Sequence, residues 1–140
     1  MKKLLVASLV WLLLAAPTAW CTDPFVRPDI DAGLLPGTWS CSLGGVTNVV
    51  TFKGDQTFFG ELRQTGKVID RYEGTWQAKM PYLSAPELVW EYSKSSRLSS
   101  GRIDRDPLEI LNSKLLVIWS QAKERHAYHR VDSAPQTKVP

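Results

Sequence analysis

The sequence predicts an all-β chain, an antiparallel up-and-down barrel of about eight strands. Three observations lead there. Apolar and polar residues alternate with period two through most of the chain, turn signals recur at short and even spacing, and no segment is long and periodic enough for a major helix. So many twisted strands in one small domain bury their edges most simply by closing on each other.

The first residues, "MKKLLVASLVWLLLAAPTAWC", carry two lysines, an apolar run from Leu4 to Ala16 and small residues around Pro17 to Ala19. That pattern is expected of a secretory signal peptide, residues 1–21. Of the 17 basic residues, two (Lys2 and Lys3) belong to this leader, so the remainder scarcely exceeds the 14 acidic ones. No run of Lys or Arg interleaved with aromatics remains, so no nucleic-acid partner is expected. The expected compartment is periplasmic or secreted.

Cys21 and Cys41 are the only cysteines. In an exported chain such a pair reads first as a disulfide. Two other fates of Cys21 stay open: loss with the leader, or lipidation, which would make the protein an outer-membrane lipoprotein and give it its only membrane contact. Trp20, directly before Cys21, is large for lipoprotein processing.

Residues 22–36, "TDPFVRPDIDAGLLP", read as an N-terminal arm with one helical turn at "DIDAGLL", capped by Asp29 or Asp31. The barrel is expected over 37–132. Its first strand places Trp39, Cys41 and Leu43 on one face. Gly44-Gly45 turns the chain into "VTNVVTFKG", and Gly54-Asp55 turns it into "QTFFGELR". After Gly66 comes "VIDRYEGTWQAK", with Val68, Tyr72, Trp76 and Ala78 in phase and Asp70 as the one acid on that apolar phase. "ELVWEYS" sets Leu88, Trp90 and Tyr92 against Glu87, Val89 and Glu91. The Ser-rich "KSSRLSSGRIDRDP" reads as a long solvated loop around one weak strand. "LEIL", "LLVIWSQA" and "HAYHRV" complete a meander, and 133–140 is expected to be a disordered tail.

Gly-Thr-Trp occurs twice, in "LLPGTW" and "YEGTW", with "TFKGDQTFFG" between them. The order resembles that of short bacterial lipocalin-like domains of the calycin superfamily, which carry an opening "LxGTW", then "TFxxDGTF", then an inner "GTW". Gln56 departs from this pattern, standing where the family has Gly. The resemblance implies a barrel whose end is plugged by Trp39 and Trp76, with Arg130 of the last strand packed over Trp39 as a cation–π partner.

Chemistry-bearing motifs are sparse. His126 and His129 have an odd offset, which on a strand sends them to opposite faces. Asp104 and Asp106 are interspersed with arginines. No nucleophile elbow, zinc spacing, phosphate loop or paired-carboxylate motif occurs, so neither enzymatic activity, a metal nor a cofactor is expected. The aromatics either fill the barrel or line an open cup. On the second reading Trp90, Tyr92, Trp119, Tyr72 and Phe59 contact a small hydrophobic or amphipathic ligand at the mouth opposite Trp39, with Gly60, Gly74, Ala78 and Ala127 leaving space. The expected function is therefore that of an exported lipocalin-like binding protein. The competing expectations are a protein-interaction module, such as a periplasmic hydrolase inhibitor acting on an envelope protein through its loops or arm, and a structural envelope lipoprotein.

Overall fold

The computed structural model describes residues 29–81 and 84–131. The expected signal peptide, most of the arm, Cys21 and the tail lie outside them. Among the described residues no helix is long and apolar enough to cross a membrane.

Eight strands follow one another in sequence order: β1 (Gly37–Leu43), β2 (Val46–Phe52), β3 (Thr57–Gln64), β4 (Lys67–Lys79), β5 (Glu87–Ser95), β6 (Ile103–Leu111), β7 (Leu115–Trp119) and β8 (Arg125–Arg130). Each pairs antiparallel with the next, and β8 returns to β1 to close the barrel. The closing seam is short, Trp39 opposite Arg130 and Ser40 opposite His129, and is extended by a hydrogen bond from Val131 N to Thr38 O at 2.8 Å. Alternation explains the inside of this barrel. Trp39, Cys41, Val50, Phe52, Phe58, Tyr72, Trp76, Leu88 and Trp90 are all buried, and residues one step away on the same strands face outward.

Irregularities bend the strands where closure demands it. The register shifts at Leu62/Arg63 between β3 and β4, at Glu73/Gly74 between β4 and β5, and at Leu108/Ile110 between β6 and β7. Such bulges add twist and tighten a sheet into a barrel. Gly74 sits at one of them, and a Cβ there would lie 1.9 Å from the carbonyl oxygen of Glu91. The β2–β3 turn is made with Gln56 in the left-handed region, φ 66°, so the residue that departs from the family pattern takes up the conformation glycine would favour.

Two expectations are corrected here. The weak strand expected within the polar segment after Lys94 and the strand expected at "LEIL" are one: "IDRDPLEIL" is β6, paired with β5 from Ile103 to Pro107. Pro107, which lacks an N–H, is accommodated because the next donor, Leu108 N, bonds to Pro86 O at 2.8 Å instead. Val68 and Leu43 share the phase of core residues but are exposed, because their strands extend beyond the packed interior.

The described part of the arm is tied to one end of the barrel. Ile30 forms an isolated parallel bridge with Leu111, and Asp31 caps a 3-10 turn over Ala32–Leu34, accepting from Gly33 N at 2.9 Å. Leu35 is fully buried, and its carbonyl accepts from Trp39 Nε1 at 2.9 Å. This end is closed.

Candidate functional site

Trp39, Trp76 and Arg130 all lie at the closed end, with Arg130 over Trp39. The Arg130 guanidinium lies 4.3 Å from the Trp39 ring centroid, and Trp76 Nε1 donates to the carbonyls of Lys53 and Thr57, both at 3.1 Å. The Trp76 ring meets Phe52 edge-on with centroids 5.8 Å apart. From there an aromatic stack rises through the barrel: Phe52 to Trp90 at 5.1 Å, Phe58 to Trp90 at 5.2 Å and Phe58 to Tyr92 at 5.6 Å. This stack fills the lower barrel.

At the opposite end a cavity of about 360 Å³ opens beneath the β5–β6 and β7–β8 connections. Its wall includes Tyr72, Trp90, Tyr92, Ile118 and Tyr128. Period two delivers Trp90 and Tyr92 from β5, and their rings lie nearly parallel, 5° apart in plane. Asn48 joins two of the phenols: its amide oxygen accepts from Tyr72 OH, and its Nδ2 donates to Tyr128 OH at 3.0 Å. Burial pushes the hydroxyl pKa values of Tyr72, Tyr92 and Tyr128 above the ordinary range, so all three remain neutral.

Polar side chains also face this cavity. Asp70, buried on β4, accepts from Ser95 Oγ and Ser96 N, both at 3.2 Å, and from Ser96 Oγ. Burial alone would raise its carboxyl pKa, but these donors outweigh that effect and hold it below the usual value. Ser95 Oγ in turn accepts from Arg97 N and Leu98 N at 3.0 and 3.1 Å. Asp70 thus anchors the start of the β5–β6 connection. Asp104 pairs with Arg102 at 2.8 Å.

Asp106 is also buried, yet its one side-chain hydrogen bond among the described residues comes from Gln121 Nε2 at a long 3.5 Å. Burial pushes its carboxyl up to about 6, opposed by Gln121 and reinforced by the Asp104 charge. Trp90 Nε1 and His126 Nε2 are buried atoms with no hydrogen-bond partner among the described residues. The site is an aromatic cup with an under-partnered acid and two unsatisfied nitrogens.

Of the five residues expected to contact a ligand, Tyr72, Trp90 and Tyr92 line this cavity. Phe59 and Trp119 do not; they face outward and are 47% and 40% exposed. Their neighbours Phe58 and Ile118 take the inward phase. Phe59 instead carries Lys53 Nζ over its ring at 5.5 Å, and Trp119 Nε1 donates to Glu109 Oε2 at 2.8 Å. Two of the small residues expected to leave space are also filled: a Cβ on Gly60 would overlap the Tyr72 ring, and one on Gly74 would overlap the Glu91 backbone.

The reading of Asp104 and Asp106 as a solvated loop is likewise corrected, because both sit on β6 facing the cup. The sequence signal for them was their shared parity, masked by the flanking arginines. His126 faces the cup and His129 is exposed, as the odd offset requires. Cys41 is a buried free thiol whose pKa burial pushes up; its expected partner Cys21 lies outside the described residues. Among the described residues no group of three His, Cys, Asp or Glu side chains could hold a metal ion.

Fold and site together define a closed eight-stranded antiparallel barrel with one sealed end and one open cup. No family model matches the chain, and no curated protein matches it.

Proposed function

We propose that this is an exported lipocalin-like binding protein that takes a small amphipathic molecule into the cup. The observation that carries the reading is the cavity of about 360 Å³ opposite the Trp39–Arg130 plug. Ligand pockets are concave, mostly apolar and oriented by a few placed polar groups, with volumes from about 300 Å³ upward. Aromatic walls supply the apolar part here, and Asp106, Trp90 Nε1 and His126 Nε2 supply the polar part. Of the two ligand classes the sequence suggests, this lining favours the amphipathic one over the purely hydrophobic. The ordered "GTW", "TFKGDQTF" and "GTW" landmarks support the family likeness, and the leader supports export.

The competing reading, an interaction module working through its loops or its N-terminal arm, finds less support in the part of the arm that the structure describes. Residues from Asp29 onward are hydrogen-bonded to the barrel end, with Leu111 N bonding to Asp29 O at 2.7 Å and Asp31 N to Leu111 O at 2.9 Å. Native mass spectrometry against a panel of lipids, amines and aromatic metabolites tests the proposal. The expected result is a one-to-one adduct with some class, lost when Leu62→Trp fills the cup. The reading fails if no class gives an adduct, or if adducts survive that filling.

A further inference from the structure

The proposed cup holds a buried acid that draws only weak opposite-charge support, from the His126 imidazole, and this bears on what would bind there. Asp106 is buried, and its one side-chain hydrogen bond among the described residues, from Gln121 Nε2, is long at 3.5 Å. Trp90 Nε1 stands near enough to favour the ionised carboxyl but has no hydrogen-bond partner of its own among the described residues. A buried charge left without a partner is costly, and the cost falls when an opposite charge is delivered to it.

The other charged groups around the cup are already committed or lie at its rim. Arg102, from the β5–β6 connection, is bound to Asp104 at 2.8 Å. Arg97, on the same connection, is exposed. On β4, Asp70 is satisfied by Ser95 and Ser96. In the β7–β8 connection, Glu124 places Oε2 3.5 Å from His126 Nε2. The phenols Tyr72, Tyr92 and Tyr128 remain neutral. Four carboxyls thus face two guanidiniums around the cavity, which repels an anionic head group and attracts a cationic one.

Taking the cup as the binding site proposed above, we infer that its ligand is a primary amine on a small apolar body, the ammonium seated against the Asp106 carboxyl. The aromatic faces of Trp90 and Tyr92 attract the same cation through their ring quadrupoles, and the apolar body packs on Ile118 and Leu62. His126 Nε2, which has no hydrogen-bond partner among the described residues and faces the Glu124 carboxylate, lies on the same wall of the cup. A neutral alcohol of equal size leaves the acid uncompensated.

Calorimetry with 2-phenylethylamine, 2-phenylethanol and phenylacetate isolates the head group, since the three share one apolar body. The amine is expected to bind at least about tenfold tighter than the alcohol at about pH 7.5, and phenylacetate to give no binding. Asp106→Asn should bring the amine down to the level of the alcohol. In the unaltered protein, with the Asp106 carboxyl titrating at about 6, amine affinity should fall about tenfold between about pH 7.5 and about pH 5. This second measurement does not depend on the variant folding.

Equal binding of amine and alcohol, tighter binding of phenylacetate, or a pH-independent amine affinity overturns the inference while leaving the cup as a binding site. Failure of all three probes overturns it too, and if the wider adduct screen is also empty the binding reading falls with it.

Discussion

The guanidinium of Arg130 covers the indole of Trp39 at 4.3 Å and at the same time donates to three backbone carbonyls, those of Ser113 at 2.9 Å, Pro36 at 3.1 Å and Leu34. One side chain therefore joins the last strand to the first strand, to the arm and to the β6–β7 turn. It seals the barrel at its shortest seam. Trp39 has no exposed surface and bonds to Leu35 O, so the plug and the arm's turn stand or fall together.

Trp39→Ala is expected to cost about 3–5 kcal/mol, the range for deleting a large buried ring. Arg130→Ala should cost about 2–3 kcal/mol, through the lost cation–π contact and the three released carbonyls. Chemical denaturation of the single and double variants measures their coupling, expected at about 0.5–2 kcal/mol. Strict additivity would mean that the contact contributes nothing.

Gly37 holds the space beneath Arg130. A Cβ there would lie 2.1 Å from Arg130 Nη1, on a backbone with φ 140° that other residues avoid. Gly37→Ala should displace the guanidinium and lower stability by more than about 2 kcal/mol. Part of that loss should vanish in an Arg130→Ala background, where only the backbone strain remains. A cost that is the same in both backgrounds would contradict the arrangement.

Asp106 makes the empty barrel pH-dependent. Its carboxyl titrates at about 6 in the folded chain against an ordinary value of 3.8, so between those values the folded state holds more protons than the unfolded state. Stability from this group falls as pH rises through that window and stays low above it. Asp70 acts in the opposite sense: its pKa is lowered, so the stability it contributes is lost as pH falls through its folded value. Asp106→Asn should therefore raise the unfolding free energy of the ligand-free protein at about pH 7.5, by about 1–3 kcal/mol. Thermal or urea melts across pH check this, and a destabilised variant would show that the buried carboxylate is better compensated than its contacts indicate.

Gln56 holds φ 66° in the β2–β3 turn, and its carbonyl still accepts from Trp76 N at 2.8 Å. Gln56→Gly should stabilise the fold by roughly 0.5–1 kcal/mol by relieving that conformation. A loss measured by urea denaturation would mean that the side chain contributes more than its backbone strain costs.

The barrel was readable where polarity alternates cleanly. Trp39 and Cys41, or Leu88, Trp90 and Tyr92, declare their face by spacing alone. It was not readable where two large apolar residues are adjacent or the run is continuous. Phe58 and Phe59 have equal claims to the interior, and "LLVIW" offers no alternation by which to set Ile118 inside and Trp119 outside. Asp106 was hidden for another reason: in "RIDRDP" the charges and the proline suggest a solvated turn, and only the closed barrel brings Leu88 and the β7–β8 connection over it. A polar residue used in a pocket looks the same in sequence as one used in solvent.

The central claim is that the cup beside Trp90 receives a ligand. Of the tryptophans among the described residues, Trp39 and Trp76 serve the closed end, Trp119 lies outside and Trp90 lines the cavity. The direct measurement is tryptophan emission during titration with a ligand found by the adduct screen, in the unaltered protein and in Trp90→Phe. The account predicts a saturable emission change that disappears in Trp90→Phe while calorimetry still detects binding. An emission change that persists in full without Trp90, or binding with no change at all, would place the ligand elsewhere on the molecule and contradict it.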